Sequence, residues 1–139
     1  MGLLNRFFTN CANPQGWMGR MMLRMMNFGH APLTNWGLGF VEFQKGWTML
    51  DIGCGGGATL KRLTKRSEWA QVYGIDISEE SVAKARKVNA NVLDKQVFVC
   101  QGSAEKLPYE DGKFDLVTAV DYAPRNIVAL LHGHYAHEK

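Results

Sequence analysis

Cysteine is scarce in this sequence: Cys11, Cys54 and Cys100 form an odd set with no Cys-x-x-Cys pair. This argues against a disulfide framework and a zinc ribbon, and leads us to expect free thiols in a cytoplasmic protein. No apolar run approaches the roughly eighteen residues that a membrane span needs, so no membrane association is expected. The opening MGLLNRFFTNC has too short an apolar stretch for a secretory leader, and Arg6 stands where a myristoylation signal requires Ser or Thr. A large excess of charge is missing as well. With 16 basic and 13 acidic residues the net charge is +3, which serves solubility and gives no reason to expect a nucleic-acid partner.

Acidic residues are nearly absent from residues 1–46, where Glu42 stands alone, and six of the seven methionines fall in the same stretch. Met18, Met21, Met22 and Met25 recur at helical spacing, with Arg20 and Arg24 on another side, so WMGRMMLRMMN reads as an amphipathic helix. Its stripe suits core packing or a flexible lid, a membrane-surface or partner groove being the alternative. Further on, Gly29 and Pro32 punctuate the chain, and Thr34 or Asn35 is expected to cap a second short helix carrying Trp36, Phe40 and Phe43. We read 1–46 as an N-terminal helical cap.

From residue 47 onward the texture is regular. TMLDI (48–52), AQVYGIDI (70–77), KQVFVCQG (95–102) and KFDLVTAV (113–120) are strand candidates rich in branched and aromatic residues. Between them, ATLKRLTKRS (58–67) reads as a helix anchored by Leu60 and Leu63. Ser78 caps a second one, with Glu79 and Glu80 in its first turn and Val82, Ala85, Val88 or Asn89, and Val92 along one side. Strands that alternate with helices imply a parallel sheet. With 46% apolar residues, the expected fold class is α/β, a Rossmann-like open sheet of about four strands.

The chemistry concentrates at LDIGCGGG (50–57), a strand end followed by a glycine-rich turn. Ligands of open parallel sheets bind beyond the carboxyl ends of the strands, and glycines let the backbone approach them closely. Gly53, Gly55 and Ala58 satisfy the dinucleotide spacing GxGxxG/A, with Asp76 placed to suit a ribose. That match alone leaves a nicotinamide-dependent oxidoreductase open. Asp51 speaks against it, because a carboxylate beside the loop repels a pyrophosphate and attracts the ammonium group of an amino-acid-like ligand.

DIGCGGG, YGIDIS, GSAEKLPYEDGKFD and DLVTAV, in this order over residues 47–120, resemble successive motifs of the class I S-adenosylmethionine-dependent methyltransferases. NPQGWMGRMMLRMMNFGHAPLTNWGL is similar to the N-terminal helices that cap the cofactor in some bacterial members. The resemblance implies S-adenosylmethionine as cofactor, a small-molecule acceptor, and a site built from Asp51, Gly53, Cys54, Gly55 and Gly57 around the methionine part. It also implies that Asp76 takes the ribose hydroxyls and Ile77 lies against the adenine, which Ser103, Ala104 and Glu105 border. Ser103 replaces an aspartate found in many members, which leaves the backbone at Ala104 to serve the adenine.

Residues 121–139, DYAPRNIVALLHGHYAHEK, do not resemble the family's continuation. The sheet order implied is 3-2-1-4 with the fourth strand at an exposed edge, a route to self-association, and much of the acceptor half is expected to be missing. Asn126 to Leu131 suits a short helix or strand. His132, His134 and His137 read as a solvated tail, not as a metal site. No catalytic base stands out. His30, Asn35, Trp36 and Asp121 are the residues nearest the cofactor mouth in motif terms, and a binding module without transfer activity is the alternative function.

Overall fold

A computed structural model describes residues 31–120 and 128–132. Its elements are α1 (Ala31–Leu38), β1 (Thr48–Ile52), α2 (Ala58–Arg66), β2 (Gln71–Asp76), α3 (Glu79–Val88), β3 (Val97–Gln101), β4 (Leu116–Val120) and β5 (Val128–His132). The Met stripe, His30, Asp121, His134 and His137 lie outside the described residues.

The first four strands run parallel in the expected order, with β1 at the centre between β2 and β4. Chain direction along the sheet reverses between β1 and β4, the kind of switch point where open α/β sheets place their ligands. One expectation fails here. β4 is not an exposed edge, because β5 pairs with it antiparallel from Leu116↔His132 to Val120↔Val128. VALLH supplies the backbone partners that the apolar β4 needs, so the argument for self-association through β4 falls away.

Side chains alternate across the sheet, so each parallel strand feeds two separate cores. On one face Met49, Val72, Val97 and Leu116 pack with Leu60 and Leu63 of α2 and Ala85 of α3. On the other, Leu50, Ile75, Phe114 and Val117 are buried, with Tyr73, Cys100 and Tyr109 packed against them. Leu60 and Leu63 are fully enclosed, as their spacing requires.

The α3 boundary follows from its cap. Ser78 adopts extended backbone, and its hydroxyl accepts from Ser81 N at 3.2 Å. Glu79 and Glu80 stand at the positive end of α3, and Arg86 and Lys87 at the negative end. Ser78→Ala is expected to lower stability by about 1 kcal/mol in urea unfolding, the usual worth of such a cap. An unchanged midpoint would show that the hydroxyl contributes nothing.

The N-terminal helix corrects a second expectation. Thr34 and Asn35 lie inside α1 instead of capping it, and Pro32 occupies its first turn, where a missing N–H costs no hydrogen bond. The helix stops at Leu38, with Gly39 N donating back to Asn35 O at 3.1 Å, so Phe40 and Phe43 lie beyond it.

Candidate functional site

The turn after β1 is built from three glycines with positive φ: +69° at Gly53, +53° at Gly55 and +84° at Gly57. Left-handed backbone at these positions disfavours any side chain, which accounts for the residue type. Gly53 N and Cys54 N both donate to Ile75 O, at 2.8 and 3.1 Å, so the turn is pinned to the end of β2. A methyl group placed on Gly53 or Gly55 would enter open space, with no atom within 4 Å. The two glycines therefore border room for a ligand. Gly57 is different, as it is pressed against α3.

Asp76 closes the turn from the end of β2. Its Oδ2 accepts Gly55 N at 2.9 Å, and its Oδ1 accepts Ser78 N at 2.9 Å. Its own carbonyl accepts Gly102 N at 2.9 Å, joining the segment after β3 to the same point. One carboxylate thus links the glycine turn to the start of α3. Each of its oxygens keeps a further lone pair for a hydroxyl donor.

Asp51 lies across the sheet on the same row as Gly74 and Thr118, the residues that pair with it on β2 and β4. Its side chain is buried, and Thr118 Oγ1 donates to Asp51 Oδ1 at 2.7 Å. Burial pushes the Asp51 carboxyl up to about 7; the Thr118 bond opposes the rise, and the charge of Asp76 adds to it. Neither of these groups is a cation. The site therefore holds a carboxyl whose charge is poorly balanced, the opposite of what a pyrophosphate requires.

Cys54 is buried in the turn, and burial together with Asp51 and Asp76 pushes its thiol well above the ordinary range. It is a packed neutral thiol. Gly74 makes room for it, since a methyl group there would lie 3.1 Å from Cys54 Sγ and 2.7 Å from Leu60 Cδ1. Cys54 and Cys100 are free cysteines.

The remaining expected residues form a rim beside Asp76. Ile77 is 58% exposed, a large apolar side chain standing in solvent next to the turn, and Gln101 Nε2 holds its carbonyl at 3.1 Å. Ser103 Oγ accepts Glu105 N at 3.1 Å, a local turn that leaves Ala104 and Glu105 exposed. Asn35 and Trp36 are α1 residues; the Trp36 ring meets Phe40 edge-on at 5.0 Å, and neither is joined to the glycine turn by a described hydrogen bond.

Two residues of the site escape sequence reasoning. Thr118 is one. Asn89 is the other: it follows α3, and its Nδ2 donates to Gly57 O at 3.1 Å and Ala85 O at 2.9 Å, fastening α3 to the last residue of the turn. The strand register could have pointed to Thr118, and an amide in an otherwise apolar stripe to Asn89.

Among the described residues no helix is long and apolar enough to cross a membrane. A family model described as "Methyltransferase domain" matches residues 43–132. The chain is 38% identical over 91 residues to 27-O-demethylrifamycin SV methyltransferase of Amycolatopsis mediterranei, covering 64% of this chain and 33% of that protein. It is 33% identical over 88 residues to demethylmenaquinone methyltransferase of Shouchella clausii, covering 63% of this chain and 37% of that one. The chain thus spans about a third of each relative's length. Among solved structures, a SAM-dependent methyltransferase from Aquifex aeolicus aligns with a TM-score of 0.53 and 34% identity, over 62% of this chain and 46% of that one.

Proposed function

Since the chain belongs to the methyltransferase domain family, we propose that it forms the S-adenosylmethionine-binding part of a small-molecule methyltransferase. The observation that carries this reading is the open glycine turn flanked by two carboxylates, with no cation among the described groups acting on Asp51. Such a site suits a ligand that has an ammonium group and a ribose but no phosphate. When bound, this cofactor supplies a methyl group on a sulfonium for in-line transfer to a nucleophile.

The chain's own residues then have distinct tasks. Gly53, Cys54, Gly55 and Gly57 shape the backbone around the methionine part, and Asp51 attracts its ammonium group. Asp76 accepts the ribose hydroxyls, while Ile77, Ser103, Ala104 and Glu105 border the adenine. Methyl transfer of this kind depends mainly on positioning, and a base is needed only when the acceptor must lose a proton. Both curated relatives are named for small organic acceptors, which supports a small molecule here. The free thiols Cys54 and Cys100 support a cytoplasmic setting.

Calorimetry with S-adenosylhomocysteine, NAD and NADP tests the reading. S-adenosylhomocysteine is expected to bind and the dinucleotides are not; tight NAD binding without a response to S-adenosylhomocysteine would overturn it. Asp76→Ala is expected to weaken binding by about 1.5 to 3 kcal/mol, the scale of hydrogen bonds to a charged group. Unchanged affinity would remove Asp76 from the ribose. Labelled methyl transfer to a panel of small acceptors separates an enzyme from a binding module, which would take up the ligand and leave every acceptor unmethylated.

A further inference from the structure

We propose that Thr118 of β4 is a positioning residue for the cofactor: its hydroxyl fixes the Asp51 carboxyl in place and favours its charged form, so that Asp51 can attract the ligand's ammonium group. This rests on the cofactor reading above. Asp51 and Thr118 are 2% and 1% exposed, so neither has bulk water with which to exchange its hydrogen bonds. Among the described residues, Thr118 Oγ1 is the one hydrogen-bond donor that reaches the Asp51 side chain.

The hydroxyl has a single proton and two acceptors in view. Asp51 Oδ1 lies at 2.7 Å and Leu50 O at 3.4 Å, and the shorter, charge-assisted contact dominates. A buried carboxylate left without a donor takes up a proton instead of remaining charged. A neutral Asp51 then has little hold on an ammonium group. The contact spans 67 positions of sequence and exists because Asp51 and Thr118 are register partners on β1 and β4. By this route β4 takes part in a site otherwise made by the segments after β1, β2 and β3.

A purely structural threonine would fill the same space and affect every ligand alike, so the test compares ligands. S-adenosylhomocysteine carries the amino-acid group; 5′-methylthioadenosine has the adenosine and the sulfur without it. Thr118→Val keeps the branched shape and removes the donor. It is expected to weaken S-adenosylhomocysteine binding about tenfold or more while 5′-methylthioadenosine is held as by wild type. Thr118→Ser, which keeps the hydroxyl, is expected to restore the affinity for S-adenosylhomocysteine. In an Asp51→Asn background, Thr118→Val should cause no further selective loss.

The proposal is overturned if Thr118→Val binds S-adenosylhomocysteine like wild type, if both ligands weaken by the same factor, or if Thr118→Ser behaves like Thr118→Val. A wild-type chain that binds neither ligand overturns the cofactor reading itself, and is thereby told apart from a failure at Thr118. Should Thr118→Val not fold, the Thr118→Ser ligand ratio decides: a ratio equal to wild type supports the proposal, and a selective loss of S-adenosylhomocysteine overturns it.

Discussion

Gly57→Ala is expected to destabilise the chain by about 2 to 5 kcal/mol, a sum of two independent costs. The first is conformational. Gly57 has φ +84°, and a residue with a Cβ is strained there by roughly 1 to 2 kcal/mol. The second is steric: the added carbon would lie 2.7 Å from Ala85 Cα and 2.8 Å from both Ala85 Cβ and Asn89 Nδ2. Two of these atoms are held rigidly by α3, so the helix itself must move, and overpacking of this kind costs about 1 to 3 kcal/mol. Urea unfolding measures the loss.

Gly55→Ala provides the contrast. A methyl group there meets nothing within 4 Å, so only the backbone cost of roughly 1 to 2 kcal/mol applies. Its larger effect should be on ligand affinity, because the methyl group projects into the space beside the turn. A loss for Gly57→Ala no larger than that for Gly55→Ala would show that α3 yields easily, and that the close contact carries no energy.

The contrast bears on how much the sequence reveals. The four parallel strands and both sheet-covering helices fall where the period-two and helical patterns put them, because local burial decides both pattern and structure. The glycine turn is legible for the same local reason: only glycine tolerates that backbone. What is not legible depends on register. Thr118 touches Asp51 through strand pairing across 67 positions, and no local signal in DLVTAV singles it out from its neighbours. Asn89 occupies an apolar slot in the helical pattern, yet its amide serves the turn. VALLH is short and shares a stretch with Pro124, and only the partner β4 makes it a strand. The α1 boundary misleads because Thr and Asn favour caps, whereas here both sit inside a helix.

The second large effect is on pH dependence. In the unfolded chain Asp51 titrates in the ordinary carboxylate range near 4, and burial in the folded chain raises it to about 7. Between these values the folded protein keeps a proton that the unfolded chain has released. Stability from this group is therefore full below about pH 4, falls as pH rises, and is gone once pH passes the folded value near 7. The shift corresponds to about 4 kcal/mol over the whole range, more than half of which falls between pH 5 and pH 8.

Asp51→Asn removes the titrating group while keeping the shape and an acceptor for Thr118. Subtracting the variant's urea stability from that of wild type at each pH cancels the other titrations. The difference should decline by roughly 2 to 3 kcal/mol from pH 5 to pH 8. Parallel profiles would mean that the Asp51 carboxyl titrates alike in the folded and unfolded chains, and that burial does not raise it.

The antiparallel β5 also sets where the chain can be tethered. Val128 faces Val120 and His132 faces Leu116, so the chain enters β5 at the same rim as the glycine turn and leaves it at the opposite rim of the sheet. A surface linker, fluorophore or fused reporter joined after His132 starts a full strand length from the rim that carries the turn, about 17 Å for five residues. Attachment at Val128 would instead begin at the rim that carries the turn. For immobilised binding measurements, the return direction of one short strand thus decides which tether leaves the ligand's entrance clear.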